Sequence, residues 1–191
     1  MPLAFQNWIH RSDLRRNRLK LYLFGDNEQR AGLGGQAKEC RGEPNAVGVA
    51  TKIAPAREPD SYWSDRDYDR CVAIVDRDLE PAFLHIRLGG TVICPSSGLG
   101  TYMAELPTRA PRLFQHVRTR IIELKRLGNE PQPSFWPWLE QFMEIAALRC
   151  EIPNDLRTVI QQLHELHACG SSHDTAMRAL GLPPRRLARA S

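Results

Sequence analysis

The feature that most constrains the fold is the stretch 21–52, where two short apolar segments flank a glycine-rich loop. Leu21–Phe24 is rich in residues that favour β-structure, and Gly25-Asp26-Asn27 is a turn signal placed directly after it. Gly48–Lys52 is a second β-like segment that follows a Pro44-Asn45 turn. The stretch therefore predicts a strand, a binding loop, the start of a helix and a second strand, which is the repeating unit of α/β proteins.

The loop inside this unit contains glycines at 32, 34 and 35. Glycine lets backbone N–H groups approach a ligand closely or turn with positive φ, and a phosphate cradle needs both properties. Gln36–Arg41 is expected to open a helix whose free N–H groups and dipole favour an anion on the glycines. Lys52 should reach the same edge of the sheet, the edge that carries the ligand in open α/β sheets.

A second glycine-containing loop follows a second predicted strand. Leu88–Cys94 is apolar and leads into Pro95–Thr101, which is rich in hydroxyl groups and N–H donors. Helices are predicted on both sides, one from about 65 to 87 with Ser64 as its N-cap and Asp67 completing a capping box, and one over 110–127. Two such loops, each placed after a strand, indicate a ligand site more strongly than either loop alone.

The chain changes character at the proline-punctuated segment 129–137. We therefore expect a ligand-binding domain over 1–128 and, over 129–191, a linker with a helical appendage. Helically spaced apolar residues predict an α-hairpin or small bundle, followed by a short helix over 174–180 and a basic tail. Trp136 and Trp138 are expected to dock the appendage, and its basic helices leave a nucleic-acid or protein contact open.

Composition limits the class of protein. The chain has 191 residues, of which 42% are hydrophobic and 25% charged, and its net charge of +4 permits an anionic partner without requiring one. Five cysteines, an odd number without a CxxC pair, argue against a disulfide framework or a zinc ribbon and favour a reducing compartment. No run approaches the roughly 18 apolar residues of a membrane span, and the start lacks a signal-peptide core. We expect a cytoplasmic protein without a membrane partner.

Familiar nucleotide and metal motifs are weak or missing. Gly32-x-Gly34-x-x-Ala37 formally matches the dinucleotide fingerprint, but its glycines begin well after the strand and no acidic residue ends a second strand at the expected distance. The P-loop pattern is absent from the sequence. His164, His167, Cys169 and His173 lack zinc-finger spacing, so neither a metal nor a cofactor is expected.

Read together, three segments resemble a macrodomain, especially the branch of ADP-ribosyl-glutamate hydrolases and its toxin-antidote relatives. The segments that carry the likeness are Arg30-Ala31-Gly32-Leu33-Gly34, Thr51-Lys52 and Pro95-Ser96-Ser97-Gly98-Leu99-Gly100. The likeness covers about residues 20–127 and implies a three-layer α/β/α sheet with an ADP-ribose-like ligand, either free or attached to a macromolecule. The GDN and GGQA motifs are also similar to those of uncharacterised phage and bacterial proteins.

The resemblance also implies roles for individual residues. In that branch the lysine matching Lys52 attacks the anomeric carbon of the distal ribose, while Tyr102 stands where an aspartate assists proton transfer. Glu105 or Asp26 would then have to supply the general acid of an ADP-ribosyl glycohydrolase. The ligand-binding set that the motifs imply is Asp26, Asn27, Arg30, Gly32, Gly34, Gly35, Gln36, Thr51, Ser97, Gly98, Leu99, Gly100, Thr101 and Tyr102.

Two other functions remain open. The PGGxGTxxE loop of the cytokinin-riboside phosphoribohydrolases is similar to residues 97–101 followed by Glu105, which favours a nucleotide-processing enzyme. A non-catalytic module that senses or sequesters an ADP-ribose-like ligand is the third reading. Tyr102 in place of the aspartate favours this module, whereas the retained Lys52 opposes it.

Overall fold

The computed structural model describes residues 2–129, 139 and 156–181. The chain divides into two compact units, Met1–Gln132 and Pro133–Ser191. In the larger unit the strands are β1 (Leu3–Gln6), β2 (Leu21–Asp26), β3 (Ala46–Ala50) and β4 (Val92–Pro95). Its helices are α1 (Arg11–Arg16), α2 (Ala37–Cys40), α3 (Tyr68–Arg87), α4 (Leu106–Arg109) and α5 (Pro111–Leu127), with 3₁₀ turns at Pro59–Ser61 and Asp65–Asp67. The smaller unit contains α6 (Leu156–Ala168) and α7 (His173–Ala179).

The four strands form a parallel sheet in the order β1-β4-β2-β3. The chain moves in one direction across the sheet from β1 to β2 and on to β3, and then returns to β4 between β1 and β2. Because crossovers between parallel strands are right-handed, the first two connections must cover one face and the third must cover the other. The helices obey this rule, with α1 and α2 on one face and α3 and α5 on the opposite face.

Because successive side chains of a strand point to opposite faces of the sheet, the strands contribute to a hydrophobic core on each face. In β2, Leu21 and Leu23 point to the cluster that includes the apolar sides of α3 and α5, whereas Tyr22 and Phe24 point to the smaller cluster under α1 and α2. The α/β class expected from the sequence is therefore confirmed, with helices on both faces of the sheet.

The predicted helix over 65–87 begins later than expected. A 3₁₀ turn precedes it, α3 starts at Tyr68, and the Ser64 side chain makes no capping bond, so the predicted capping box is wrong. The Asp65 carboxylate instead accepts hydrogen bonds from the backbone N–H groups of Arg112 (3.0 Å) and Leu113 (3.1 Å) at the start of α5. It thereby satisfies N–H groups that have no partner within their own helix.

The smaller unit is helical where it is described, as its apolar spacing predicts. Val159 and Leu163 of α6 and Ala176 and Met177 of α7 are buried, and the Ser172 hydroxyl caps α7 by accepting from Thr175 N at 3.3 Å. The apolar positions 142, 145 and 148, the docking tryptophans 136 and 138 and the basic tail lie outside the described residues. None of the helices in the described ranges is long and apolar enough to cross a membrane.

Candidate functional site

A cleft of about 570 Å³ opens at the carboxyl ends of the strands. β2 leads to α2 on one face, while its neighbour β4 leads to α5 on the other face, so the connections diverge at this point of the edge. Ligands of open α/β sheets bind at such switch points. The cleft lies within the usual size range of small-molecule sites, roughly 300 to 1,000 Å³.

The first glycine loop, residues 27–36, forms one wall of the cleft. Its conformation is held by Arg41, which donates to the backbone oxygens of Gly32 (Nε, 2.9 Å), Arg30 (Nη1, 2.6 Å) and Ala31 (Nη2, 3.2 Å). Three consecutive carbonyl groups are thus directed to one guanidinium. Sequence reasoning missed this role of Arg41, because a lone arginine carries no local signal for distant carbonyl groups.

Asp26 is the anchor of Arg41 and not a free acid. The buried carboxylate accepts from Arg41 Nη2 at 2.5 Å, from Arg41 Nη1 at 3.2 Å and from Asn27 N at 2.8 Å. Both oxygens are therefore engaged in holding the first glycine loop. Asp26 lines the cleft, as predicted, but its geometry favours a structural role over the expected general acid.

Two amide side chains predicted to bind ligand also hold this loop. Asn27 Nδ2 donates to Ala31 O at 2.8 Å, and Gln36 pairs with the backbone of Ile9 by donating to its oxygen (2.5 Å) and accepting from its nitrogen (3.2 Å). The helix expected after the loop is the single turn α2. A helix of four residues has almost no dipole, so the predicted support for an anion from a helix start is lost.

Arg30 lies outside the cleft lining. Its guanidinium donates to Gly48 O at 2.9 Å and to Asp78 Oδ2 at 2.6 Å, while Asp78 Oδ2 also accepts from Ala50 N at 2.9 Å. Gly48 and Ala50 belong to β3, which is an edge strand. Arg30 and Asp78 therefore occupy backbone groups of that edge, a device that prevents pairing with another chain.

Lys52 lies deep in the cleft at the end of β3. Only 6% of the residue is exposed, so it is not a solvated strand end. Its Nζ donates to Met103 O at 3.3 Å and lies 3.8 Å from the centre of the Tyr62 ring. Within the described residues no carboxylate forms an ion pair with it. Neighbouring Thr51 ties β3 to β2, because its N and Oγ1 both donate to Asp26 O.

The second glycine loop, residues 96–105, faces the first. Gly98 and Gly100 have positive φ angles of 81° and 79°, and a Cβ on Gly100 would lie 2.4 Å from Leu106 Cδ1, so only glycine fits there. Leu99 is buried in the core, not in the cleft. The Thr101 hydroxyl is buried and has no hydrogen-bond partner within the described part of the chain. The predicted residues of this loop that do line the cleft are Ser97, Gly98, Gly100, Thr101 and Tyr102.

Glu105, expected as an alternative acid, is directed elsewhere. Its carboxylate accepts from Arg109 Nε at 2.8 Å, its side chain is about half exposed, and it is not part of the cleft lining. Tyr102 lies at the rim with 76% of its surface exposed. The structure therefore brings Lys52 together with both glycine loops but brings no unengaged carboxylate of the predicted set beside it.

Five residues that line the cleft lie outside the motifs quoted for the site: Asn7, Trp8, Pro55, Met103 and Ala104. Asn7 and Trp8 follow β1, and a firm strand assignment for residues 3–6 would have pointed to them by the same carboxyl-end rule. Met103 belongs to the second glycine loop and packs against the first, because the Met103 Cε would lie only 3.0 Å from a Cβ added to Gly34. Nothing in the sequence marks that contact.

Metal and thiol chemistry find no support near the cleft. Across the described residues there is no group of three or more histidine, cysteine or acidic side chains that could hold a metal ion. Cys40, Cys71, Cys94 and Cys169 are free thiols. Burial raises the pKa of Cys40 and Cys94 to about 12 and that of Cys71 to about 11, so these three stay protonated at neutral pH.

Comparison with known proteins identifies a family but no activity. No curated protein and no solved structure matches the chain. Residues 4–120 match the family described as a family of unknown function, DUF7831. The match takes in both glycine loops, Lys52 and the whole sheet except the first residue of β1, and it stops before the smaller unit. The chain therefore belongs to the DUF7831 family.

Proposed function

We propose that the cleft binds ADP-ribose or a related NAD-derived nucleotide through its diphosphate. The observation that carries the proposal is the buried ammonium group of Lys52, which lines the cleft and has no ion-pair partner in the described residues. Burying a charge without a counter-charge is costly, so buried charges are normally paired. An anion in the cleft supplies the missing partner.

The surroundings of Lys52 fit a diphosphate. The two glycine loops face each other across the cleft, and their glycines leave backbone groups open to close approach. Thr101 adds a buried hydroxyl that needs a partner. The resemblance to ADP-ribose-binding macrodomains, carried by these same loops and by Thr51-Lys52, selects an ADP-ribose-like nucleotide from among the possible diphosphates.

The geometry supports binding better than turnover. Nucleophilic attack by a lysine requires the neutral amine and a base to take its proton. Here the Lys52 Nζ donates to the Met103 carbonyl and lies over the Tyr62 ring, and neither of these groups is a base that could take that proton. The carboxylates expected to help, Asp26 and Glu105, are held by Arg41 and Arg109. Glu105 is also the residue that the phosphoribohydrolase alternative needs, so we favour a module that senses or sequesters its ligand.

The test is calorimetry with ADP-ribose on the wild type and on Lys52→Ala. Because a hydrogen bond to a charged group contributes about 1.5–3 kcal/mol, the variant should bind at least about tenfold more weakly. Lys125→Ala, which removes an exposed lysine of α5, is the matched control and should leave the affinity unchanged. No binding of ADP-ribose or NAD by the wild type, or full affinity in Lys52→Ala, would contradict the proposal. Release of ADP-ribose from a modified substrate would favour an enzyme instead.

A further inference from the structure

The end of the cleft opposite Lys52 carries an exposed aromatic residue. Trp8 lies two residues beyond the end of β1, lines the cleft and is 42% exposed. Seven large hydrophobic side chains of the described residues are exposed, and four of them, including Trp8, line this cleft. Clustered exposed apolar side chains, unlike scattered ones, indicate a binding surface. The four are Trp8, Leu33, Tyr102 and Met103.

The strand order places Trp8 and Lys52 after the two opposite edge strands of the sheet. β1 and β3 are the two edge strands, so Trp8 and Lys52 stand at opposite ends of the carboxyl edge. Three inter-strand steps of about 4.8 Å separate these edges, which gives roughly 14 Å. The ends of β4 and β2, with the two glycine loops, lie between them. A ligand that uses the whole edge must therefore be elongated, with an anionic part and a flat apolar part.

Trp8 is less exposed than Tyr102, the other aromatic residue of the rim, and the backbone beside Trp8 is fixed. Gln6 Nε2 donates to Trp8 O at 2.9 Å, and the next residue, Ile9, is fully buried with its backbone paired to Gln36. Tyr102 is 76% exposed. An aromatic residue flanked by fixed backbone loses little conformational freedom when a ligand covers it, and it is therefore the better platform.

We infer that Trp8 is the platform on which the base of the nucleotide stacks, while the diphosphate lies over the glycine loops towards Lys52. This inference rests on the proposed function and adds to it the direction of the ligand along the cleft and the residue that selects for a base. Trp8 is a specificity residue, and a base-free diphosphate does not use it.

The experiment compares ADP-ribose with pyrophosphate by calorimetry on the wild type, Trp8→Ala and Trp8→Phe. Because stacking on an aromatic residue contributes about 1–3 kcal/mol per base, Trp8→Ala should weaken ADP-ribose binding by about 5- to 150-fold. It should leave pyrophosphate binding unchanged, and Trp8→Phe should restore most of the loss. Phe5→Ala is the matched control, since Phe5 is a half-exposed aromatic residue of β1 outside the cleft lining.

The outcomes separate the two proposals. Full ADP-ribose affinity in Trp8→Ala, or an equal loss for pyrophosphate, overturns the platform and leaves the proposed function standing. A wild type that binds pyrophosphate but not ADP-ribose overturns both the nucleotide and the platform. A wild type that binds neither removes the proposed function, and the platform falls with it.

Discussion

The contacts of a charged side chain decide its role in the cleft, as two residues near neighbouring strand ends show. Asp26 ends β2, Lys52 lies two residues beyond the end of β3, and both line the cleft. Asp26 is engaged by Arg41 and the backbone of Asn27, whereas the partners of Lys52 within the described residues are a carbonyl oxygen and an aromatic ring. The sequence indicates both residues equally well. Only the positions of Arg41 and Tyr62 decide that one is an anchor and the other is available to a ligand.

A residue far from the cleft gives a pH-dependent prediction. Burial lowers the pKa of His85 in α3 from its ordinary 6.5 to about 4, although backbone contacts with Leu19 and Thr91 partly oppose this effect. Below pH 6.5 the unfolded chain takes up a proton that the folded protein rejects, so stability falls as the pH drops from 6.5 towards 4 and is fully present above 6.5.

We expect the free energy of unfolding to decrease by about 2 kcal/mol between pH 7 and pH 5 because of this histidine. Urea unfolding at the two pH values measures it. His85→Gln, which cannot be protonated, should lose this part of the decrease. An equally steep decrease in the variant would assign the pH dependence to other groups.

At the scale of elements, the glycine loops and their strands were predictable because their signals are local. The predicted strand at 21–24 lies within β2, the one predicted at 88–94 is found from Val92 onwards as β4, and a glycine cluster follows each. The failures involve distant partners: the carboxylate of Asp65 caps a helix 47 residues away in sequence, and Arg30 reaches Asp78. The helix after the first loop was overestimated, because α2 ends after one turn at Cys40. Local propensity says little about such long-range contacts.

The first glycine loop itself can be tested at Gly34. Its φ is not in the left-handed region, and a Cβ there meets only the flexible end of Met103, so a side chain is accommodated without backbone strain. Gly34→Glu places bulk and negative charge in the cleft and should abolish ADP-ribose binding while leaving the melting temperature near that of the wild type.

Ile122→Glu is the control for the added carboxylate, since Ile122 is exposed on α5 and lies outside the cleft lining. It should bind ADP-ribose as the wild type does. Unchanged affinity in Gly34→Glu would show that the first glycine loop is only a turn.

For the whole molecule, topology explains why one edge collects the candidate residues. In the order β1-β4-β2-β3, the connection after β2 runs over one face of the sheet, and the connection after its neighbour β4 runs over the other face. The cleft forms where these two connections diverge. The α/β class and the edge were predictable from the sequence. The strand order was not, because it depends on contacts between segments far apart in the chain. The roughly 14 Å between the edge strands that lead to Trp8 and Lys52 follows from that order and therefore emerges only with the structure.

The most direct test of the central claim is a titration of the ¹⁵N-labelled protein with ADP-ribose, followed by NMR. We predict that the largest amide shifts fall on the two glycine loops, led by Gly32, Gly34, Gly35 and Gly100, because the proposed diphosphate would lie against these loops. The amides of α6 and α7 should not move. Absence of shifts at saturating ADP-ribose, or shifts concentrated in α6 and α7, would contradict it.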